Sequence, residues 1–165
     1  MDPRTSNAED EKFMRLAIAL GEKAAMIEGT GGPFGCVIVK DGEVIAEGSN
    51  HVVAENDPTW HGEMAAIRAA TRKLGTFNLA GCTLYTSGEP CPMCAGAIFW
   101  ARLDRVVYAS TIGDALTYGG FDDRPIYDDL AKPIARRMIP AAQCLHEEML
   151  ELWERYRAKP DKTHY

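Results

Sequence analysis

The chain has 165 residues, of which 46% are hydrophobic and 25% are charged, as in an ordinary globular protein. Its length predicts a single domain over residues 1–165, with room for a buried core. The formal net charge of −6 argues against a surface that neutralises phosphates, so long nucleic acid is not an expected partner.

The cysteines and the apolar segments indicate the compartment. Five cysteines, an odd count, are untypical of a disulfide framework and predict free thiols or metal ligands. The first residues, Met1 to Ser6, are too polar for a secretory leader, and apolar runs such as Ala95–Ala101 are too short to span a bilayer. The sequence therefore predicts a cytoplasmic protein with no membrane partner.

A helix and a hairpin are predicted first. Asn7 or one of the two residues before it can cap a helix whose apolar residues recur every three to four positions and which Gly29 ends. The strand-like segments Cys36–Lys40 and Glu43–Gly48 flank Asp41-Gly42, a dipeptide typical of two-residue hairpin turns.

Helices and strands alternate in the centre of the chain. Asp57 is a good N-cap, with Pro58 at the first helical position, for a helix that runs to about Lys73. A strand is predicted at Cys82–Ser87, and a further helix begins at about Pro92.

The last third is less regular. After a strand at Arg105–Ala109, the Gly- and Asp-rich segment from Asp114 to Asp129 is predicted to be irregular. A short strand at about Met138–Gln143 and an amphipathic helix at about Leu145–Arg157 follow. The alternation of strands and helices indicates an α/β protein whose sheet is covered on both faces.

Two short motifs, roughly thirty residues apart, contain residues that bind metals. The first is Trp60-His61-Gly62-Glu63 and the second is Glu89-Pro90-Cys91-Pro92-Met93-Cys94. One histidine and a Cys-x-x-Cys pair are ligands that zinc prefers, and no second pair is present to complete a four-ligand structural site. The order His-x-Glu and then Pro-Cys-x-x-Cys is the zinc-deaminase pattern, in which one position stays open for water.

Both motifs are expected at helix starts. Cys91 and Cys94 project from one side of a first turn, where the helix N-terminus stabilises thiolates. Glu63 is placed to take a proton from the water and to give it to a ring nitrogen and then to the departing amine of an amino-heterocycle. The sequence thus predicts Zn²⁺ on His61, Cys91 and Cys94, with Glu63 as the catalytic residue.

Two alternatives stay open at these residues. The metal could simply hold the fold together, which would make the chain a non-catalytic zinc-binding module. Cys144 is a candidate fourth ligand, and the competing interpretation is a buried thiol at the start of the last helix.

From Gly31 to about Tyr127 the sequence resembles the cytidine deaminase superfamily and, within it, the small bacterial guanine deaminases. Besides the zinc motifs, the resemblance is carried by Gly32-Pro33-Phe34-Gly35, Asn56-Asp57-Pro58, Ala66-Ile67-Arg68, Leu84-Tyr85-Thr86-Ser87, Gly96–Arg102 and Gly120-Phe121-Asp122-Asp123. The last stretch, followed by Ile126-Tyr127, narrows the match to the guanine branch.

The resemblance implies a three-layer α/β/α sandwich around a five-stranded mixed sheet. It also implies zinc-dependent hydrolysis of guanine, a small-molecule nucleobase, to xanthine and ammonia. Relatives of this kind are homodimers in which the C-terminal segment, here about residues 158–165, crosses over to cover the active site of the partner.

The resemblance further implies substrate-binding roles for Phe34, Asn50, Gly62, Trp100, Asp123 and Tyr165. The two aromatic residues at 34 and 100 match pocket aromatics, the asparagine matches a base-binding amide, and the glycine supplies a backbone N–H beside the metal. Asp123 matches an acidic residue that contacts the purine, and a carboxylate is a pure acceptor for the N–H donors of guanine.

Two departures widen the choice of substrate. Gly88 stands where many relatives have Cys, and Gly62 stands where many guanine deaminases have Ala. The His-Gly-Glu sequence also occurs in fungal-type cytosine deaminases, so cytosine, guanosine and the triazine ammeline are alternative substrates. A tRNA adenosine deaminase is disfavoured, because a tRNA partner demands Lys and Arg at the rim of the site.

Overall fold

The computed structural model describes residues 5–164, which form two compact units, one up to Asp123 and one from Arg124 onwards. In chain order, the first unit contains α1 Ala8–Glu22, β1 Gly35–Lys40, β2 Glu43–Ser49, α2 Val52–Glu55, α3 Gly62–Leu74, β3 Cys82–Gly88, α4 Pro92–Trp100, β4 Arg105–Ser110 and α5 Ile112–Gly119. A π-helix at Lys23–Glu28 continues α1 and ends at Gly29, as the sequence predicts.

The strands form one mixed sheet in the order β2-β1-β3-β4. β1 runs antiparallel to β2 and to β3, whereas β3 and β4 are parallel. The predicted hairpin is confirmed, since Asp41 (φ 51°) and Gly42 (φ 78°) both adopt the left-handed conformation that a type I′ turn requires. α4 supplies the crossover connection that the parallel pair needs.

Helices cover both faces of this sheet. On one face Phe13 and Ala17 of α1 pack with Val37 and Tyr85. On the other face the core contains residues of α3 and α4 packed against the strands, namely Ala66, Ala70, Ile98, Ile38 and Leu84. The α/β architecture is therefore confirmed, and the starts of α3 and α4 lie on the same side of the sheet.

The start of α3 differs from the prediction. α3 begins at Gly62 with His61 as its N-cap, four residues after the predicted start at Pro58. The Asp57 carboxylate accepts hydrogen bonds from the N–H and the hydroxyl of Thr59, at 2.8 and 2.7 Å, and so closes a turn instead of capping a helix.

The prediction of a fifth strand is wrong: within residues 5–164 the sheet has four strands. The segment from Met138 to Gln143 is irregular. Its first N–H donates to both oxygens of Asp129, at 2.9 and 3.1 Å, and Pro140 has no N–H, so the segment lacks donors that a β-ladder would use.

The segment predicted to be irregular, Asp114 to Asp129, instead contains most of α5 and most of the next helix, Arg124–Leu130. α5 begins with a capping box, in which Thr111 and Asp114 bind each other's backbone N–H groups. Capping of this kind outweighs the low helix propensity of the glycines in this segment.

The second unit comprises α6 Arg124–Leu130, a 3-10 turn at Ile134–Arg136 and α7 His146–Ala158. The final helix is thus confirmed. The interpretation of Cys144 as a buried thiol is wrong, because this residue lies in irregular chain just before α7 and is exposed. No helix among residues 5–164 is long and apolar enough to cross a membrane.

Candidate active site

The three predicted zinc ligands come together at the starts of α3 and α4. His61 is the N-cap of α3, Cys91 is the N-cap of α4, and Cys94 lies three residues later in the first turn of α4. The Nδ1 atom of His61 lies 3.5 Å from Sγ of Cys91 and 3.6 Å from Sγ of Cys94. Among residues 5–164, no other group of three or more such side chains clusters closely enough to hold a metal ion.

The spacing of these three atoms fits zinc. In a tetrahedral site with Zn–S bonds of about 2.3 Å and Zn–N bonds of about 2.0 Å, a sulfur and a nitrogen lie about 3.5 Å apart. The donor set is one imidazole and two thiols, and no fourth protein donor joins it within residues 5–164. Three protein donors leave one position of a tetrahedral ion for water or substrate, as in catalytic zinc sites.

The electrostatics of the cluster favour a bound cation. Hydrogen bonding to Cys94, and then to His61, lowers the pKa of Cys91 well below that of an ordinary thiol. The hydrogen bond with Cys91 in turn raises the pKa of His61. These hydrogen bonds favour the thiolate form of Cys91, which is the form that binds metals.

Glu63 lies in the first turn of α3 and is 5% exposed. Its Oε1 atom accepts a hydrogen bond of 3.3 Å from the hydroxyl of Thr86, a buried residue of β3. Burial raises the pKa of the Glu63 carboxyl, because the charged form loses hydration. A carboxyl whose pKa is raised in this way is suited to accept and release protons.

A cavity of about 390 Å³ opens beside the cluster. Its walls include His61, Glu63 and Cys91 together with three of the predicted substrate-binding residues, Phe34, Asn50 and Asp123. The structure therefore brings the predicted catalytic residue, two of the predicted metal ligands and half of the six predicted substrate-binding residues to the wall of one cavity.

Phe34 forms an aromatic wall of the cavity. Phe121 meets its ring edge-on, with centroids 5.1 Å apart and ring planes at 76°. A Cβ atom at Gly88 would lie 3.1 Å from the ring of Phe34, so glycine at this position gives the ring its space. Phe121 also lines the cavity, although the sequence did not assign it a role.

Asn50 and Asp123 are two of the polar residues in the cavity wall. The buried Asn50 side chain accepts the N–H of Val52 on Oδ1 at 3.2 Å, which fixes the rotation of its amide. Asp123 is half-buried, and burial raises the pKa of its carboxyl. Gly62 is buried at the first helical position of α3, and a Cβ there would lie 2.9 Å from the carbonyl oxygen of Phe34.

One of the predicted substrate-binding residues lies away from this cavity, and another cannot be placed. Trp100 is the last residue of α4, is 61% exposed and lies against Phe99 rather than in the cavity wall. Tyr165 lies outside the described residues. The substrate-binding roles of both stay predictions.

Comparison with known proteins gives a family match. The sequence model of the "cytidine and deoxycytidylate deaminase zinc-binding region" matches residues 7–110. The guanine deaminase of Bacillus subtilis (strain 168) is 48% identical over 155 residues, which are 94% of this chain and 98% of that protein. Its X-ray structure superposes with a TM-score of 0.90 and 47% identity, covering 97% of this chain and 99% of that one.

Two further relatives extend the comparison. The protein NE0047, solved in complex with 2,6-diaminopurine, matches with a TM-score of 0.64 and 29% identity over 98% of this chain and 87% of its own. The tRNA-specific adenosine deaminase of Aquifex aeolicus (strain VF5) is 42% identical over 95 residues, covering 58% of this chain and 63% of that protein.

Proposed function

Because the chain belongs to the cytidine and deoxycytidylate deaminase family, we infer that it hydrolyses guanine to xanthine and ammonia with zinc as its cofactor. The observation that carries this inference is the match to a guanine deaminase along 94% of the chain. That match continues well beyond residue 110, where the zinc-binding region ends, and includes the segment that supplies Phe121 and Asp123 to the cavity.

The metal would be held by Nδ1 of His61 and the Sγ atoms of Cys91 and Cys94. When bound, zinc supplies Lewis acidity, which makes a water molecule acidic near neutral pH and polarises the atom under attack. The N-termini of α3 and α4 add backbone N–H groups that stabilise negative charge developing at this end of the cavity.

Glu63 moves the protons. Its carboxylate takes one from the attacking water as the C–O bond forms at the amino-bearing carbon of guanine. It gives that proton to the adjacent ring nitrogen. It then takes the remaining proton from the newly added hydroxyl group and passes it to the amino group, so that the C–N bond breaks, the C=O bond forms and ammonia leaves. The burial of Glu63 supports this role. Burial raises the pKa of the carboxyl, which helps it to hold the proton between the two transfers.

The cavity wall suits a flat purine. The ring of Phe34 offers a stacking surface, and Phe121 stands edge-on beside it. The Asp123 carboxylate is an acceptor for the N–H donors of guanine, and Asn50 offers an amide to the remaining polar edge. We propose Phe34, Asn50 and Asp123 as substrate-binding residues on this basis, and Gly62 for the backbone N–H that it offers at the start of α3.

The test is an ammonia-release assay on zinc-loaded protein with guanine, guanosine, adenine, cytosine and ammeline, plus a tRNA assayed for inosine. Guanine is expected to be the preferred substrate, and xanthine the product in equal amount to ammonia. Faster release from cytosine or adenine, or inosine formation in tRNA, would reassign the substrate. One zinc per chain without ammonia from any of these compounds would establish a non-catalytic module.

We also propose a cytoplasmic homodimer in which the C-terminal segment completes the partner's site. The apolar residues Leu150 and Trp153 of α7, which are exposed, suit an interface. Mixing a Glu63→Gln protein with a Tyr165→Ala protein tests this arrangement. Activity should reappear in the mixture if the segment crosses, because one site then has both residues, and it should stay absent if the segment remains on its own subunit.

A further inference from the structure

Thr86 is a buried polar residue in a strand that otherwise presents apolar side chains to α3. Side chains alternate along β3, so Cys82, Leu84 and Thr86 share the face that packs beneath α3. Thr86 is only 1% exposed. A hydroxyl at such a position destabilises the fold unless it is hydrogen-bonded, so the identity of its partner indicates why a polar residue stands here.

That partner is the carboxylate proposed to move the protons. The Oγ1 atom of Thr86 donates to Oε1 of Glu63 at 3.3 Å, across 23 residues of sequence. In the sheet Thr86 pairs with Cys36 of β1 and with Tyr108 of β4, so its backbone is held from both sides. The hydroxyl is therefore presented by a central strand with little freedom to move.

We propose that Thr86 is a positioning residue for Glu63, an inference that rests on the proposed deaminase function. The terminal torsion of a glutamate is broad, so an unrestrained carboxylate samples many orientations. A hydrogen bond to one oxygen narrows that range and keeps the carboxylate aimed at the metal cluster. Because Cys91 follows five residues after Thr86, β3 fixes the proton carrier and a metal ligand relative to each other.

The test compares Thr86→Val, which removes the hydroxyl at nearly constant volume, with Thr86→Ser, which keeps it. Thr86→Val is expected to lower kcat for guanine about tenfold, because it removes a hydrogen bond to a charged group. KM for guanine and the zinc content should not change. Thr86→Ser should stay within about twofold of the wild type. Thr83→Val is the matched control, since Thr83 lies on the opposite face of β3.

A double-mutant cycle separates positioning from packing. Glu63→Asp shortens the acidic side chain and draws its oxygen away from Thr86, so Thr86→Val should cause no further loss of kcat in that background. A full additional tenfold loss there would overturn the proposal. A Thr86→Val protein with wild-type kcat, or one that loses activity only in proportion to lost zinc, would overturn it as well.

The proposed function and the role of Thr86 fail in different ways. A wild-type protein that releases no ammonia from guanine overturns the proposed function, and the same variants are then assayed on the substrate that the wild type does deaminate. An active wild type with an unaffected Thr86→Val variant overturns the role of Thr86 alone.

Discussion

Asp10 and Glu63 are two buried carboxylates in comparable positions with opposite surroundings. Each lies in the first turn of a helix that packs on the sheet, and they are 2% and 5% exposed. Asp10 is enclosed by donors: Arg105 binds its two oxygens at 2.7 and 2.8 Å, and the hydroxyl of Tyr85 donates at 2.8 Å. The backbone N–H of Asn7 adds a further bond of 2.8 Å.

The partners decide the protonation of each group. The hydrogen bond from Arg105 is the largest cause that lowers the pKa of Asp10 to about 2. Glu63 has no arginine or lysine among its partners in residues 5–164, and burial raises the pKa of its carboxyl. A carboxylate bound by arginine remains charged and stabilises the fold, whereas a buried carboxyl without a cationic side-chain partner can exchange protons. Asp10 therefore has a structural role, and Glu63 is suited to a chemical one.

Of the changes considered, removal of the metal should have the largest effect, and this effect should be on the chemistry at Glu63 and not on the ion pair at Asp10. Chelation of zinc is expected to lower deaminase activity at least about 10⁴-fold. Without the metal, water does not lose a proton readily near neutral pH, so the hydroxide that attacks the substrate does not form. Added zinc should restore activity. Full activity in protein shown by metal analysis to contain no zinc would contradict this expectation.

Asp10→Asn should affect only stability. Loss of the charge breaks the buried pair with Arg105 and is expected to destabilise the fold by about 3 kcal/mol, which lowers the melting midpoint by roughly 10 °C. The kcat for guanine should stay within about twofold, since Asp10 does not line the cavity.

Asp114→Asn is the matched control for Asp10→Asn. Asp114 occupies the same capping-box position in α5 but is exposed, so its replacement should destabilise the fold by less than about 1 kcal/mol. Equal effects of the two variants on thermal melting would show that burial and Arg105 contribute nothing to the role of Asp10.

Asp123 lies between the two extremes, because it is half-buried and lines the cavity. Asp123→Asn is expected to lower kcat/KM for guanine about 100-fold, equivalent to about 2.7 kcal/mol, by removing a charged acceptor for the purine N–H groups. Its exposed neighbour provides the control, and Asp122→Asn should stay within about twofold. If steady-state kinetics show equal effects of the two variants on kcat/KM, Asp123 does not recognise the N–H groups of guanine.

Acid unfolding should report the low pKa of Asp10. A carboxylate whose folded pKa is depressed stabilises the fold above its unfolded pKa, and that stability is lost as the pH falls through the folded value. From 3.8 to about 2, the shift corresponds to about 2 kcal/mol.

The difference in unfolding free energy between the wild type and Asp10→Asn isolates this contribution, because other groups titrate equally in both proteins. That difference should shrink by about 2 kcal/mol between about pH 4 and about pH 2, as measured by urea unfolding. A constant difference across this range would show that Asp10 titrates normally.

The metal cluster could be predicted from sequence because its ligands follow local spacing. Cys91 and Cys94 lie at a helix start that Pro92 indicates, and the motif spacing identifies His61 even though α3 begins four residues later than predicted. Thr86 gives no such signal, since threonine in a strand is an ordinary β-former and its partner lies 23 residues away. The bond between Arg105 and Asp10 spans 95 residues and is equally invisible in the sequence.

The hairpin at Asp41-Gly42 and the final helix were predictable, because turn chemistry and helical periodicity are local. The irregular structure of the segment from Met138 to Gln143, where a fifth strand was predicted, could not be foreseen. Asp129 accepts a hydrogen bond from the N–H of Met138, and the apolar pattern of the segment does not indicate a carboxylate nine residues away.

Guanine turnover by Glu63→Gln protein, at a zinc content equal to that of the wild type, tests the central claim most directly. Asp10→Asn serves as the control, because it also neutralises a buried carboxylate. Glu63→Gln is expected to retain one zinc per chain and to lose about 10³-fold or more in kcat, since a neutral amide cannot accept the proton from water. Wild-type ammonia release by the zinc-loaded Glu63→Gln protein would contradict the account.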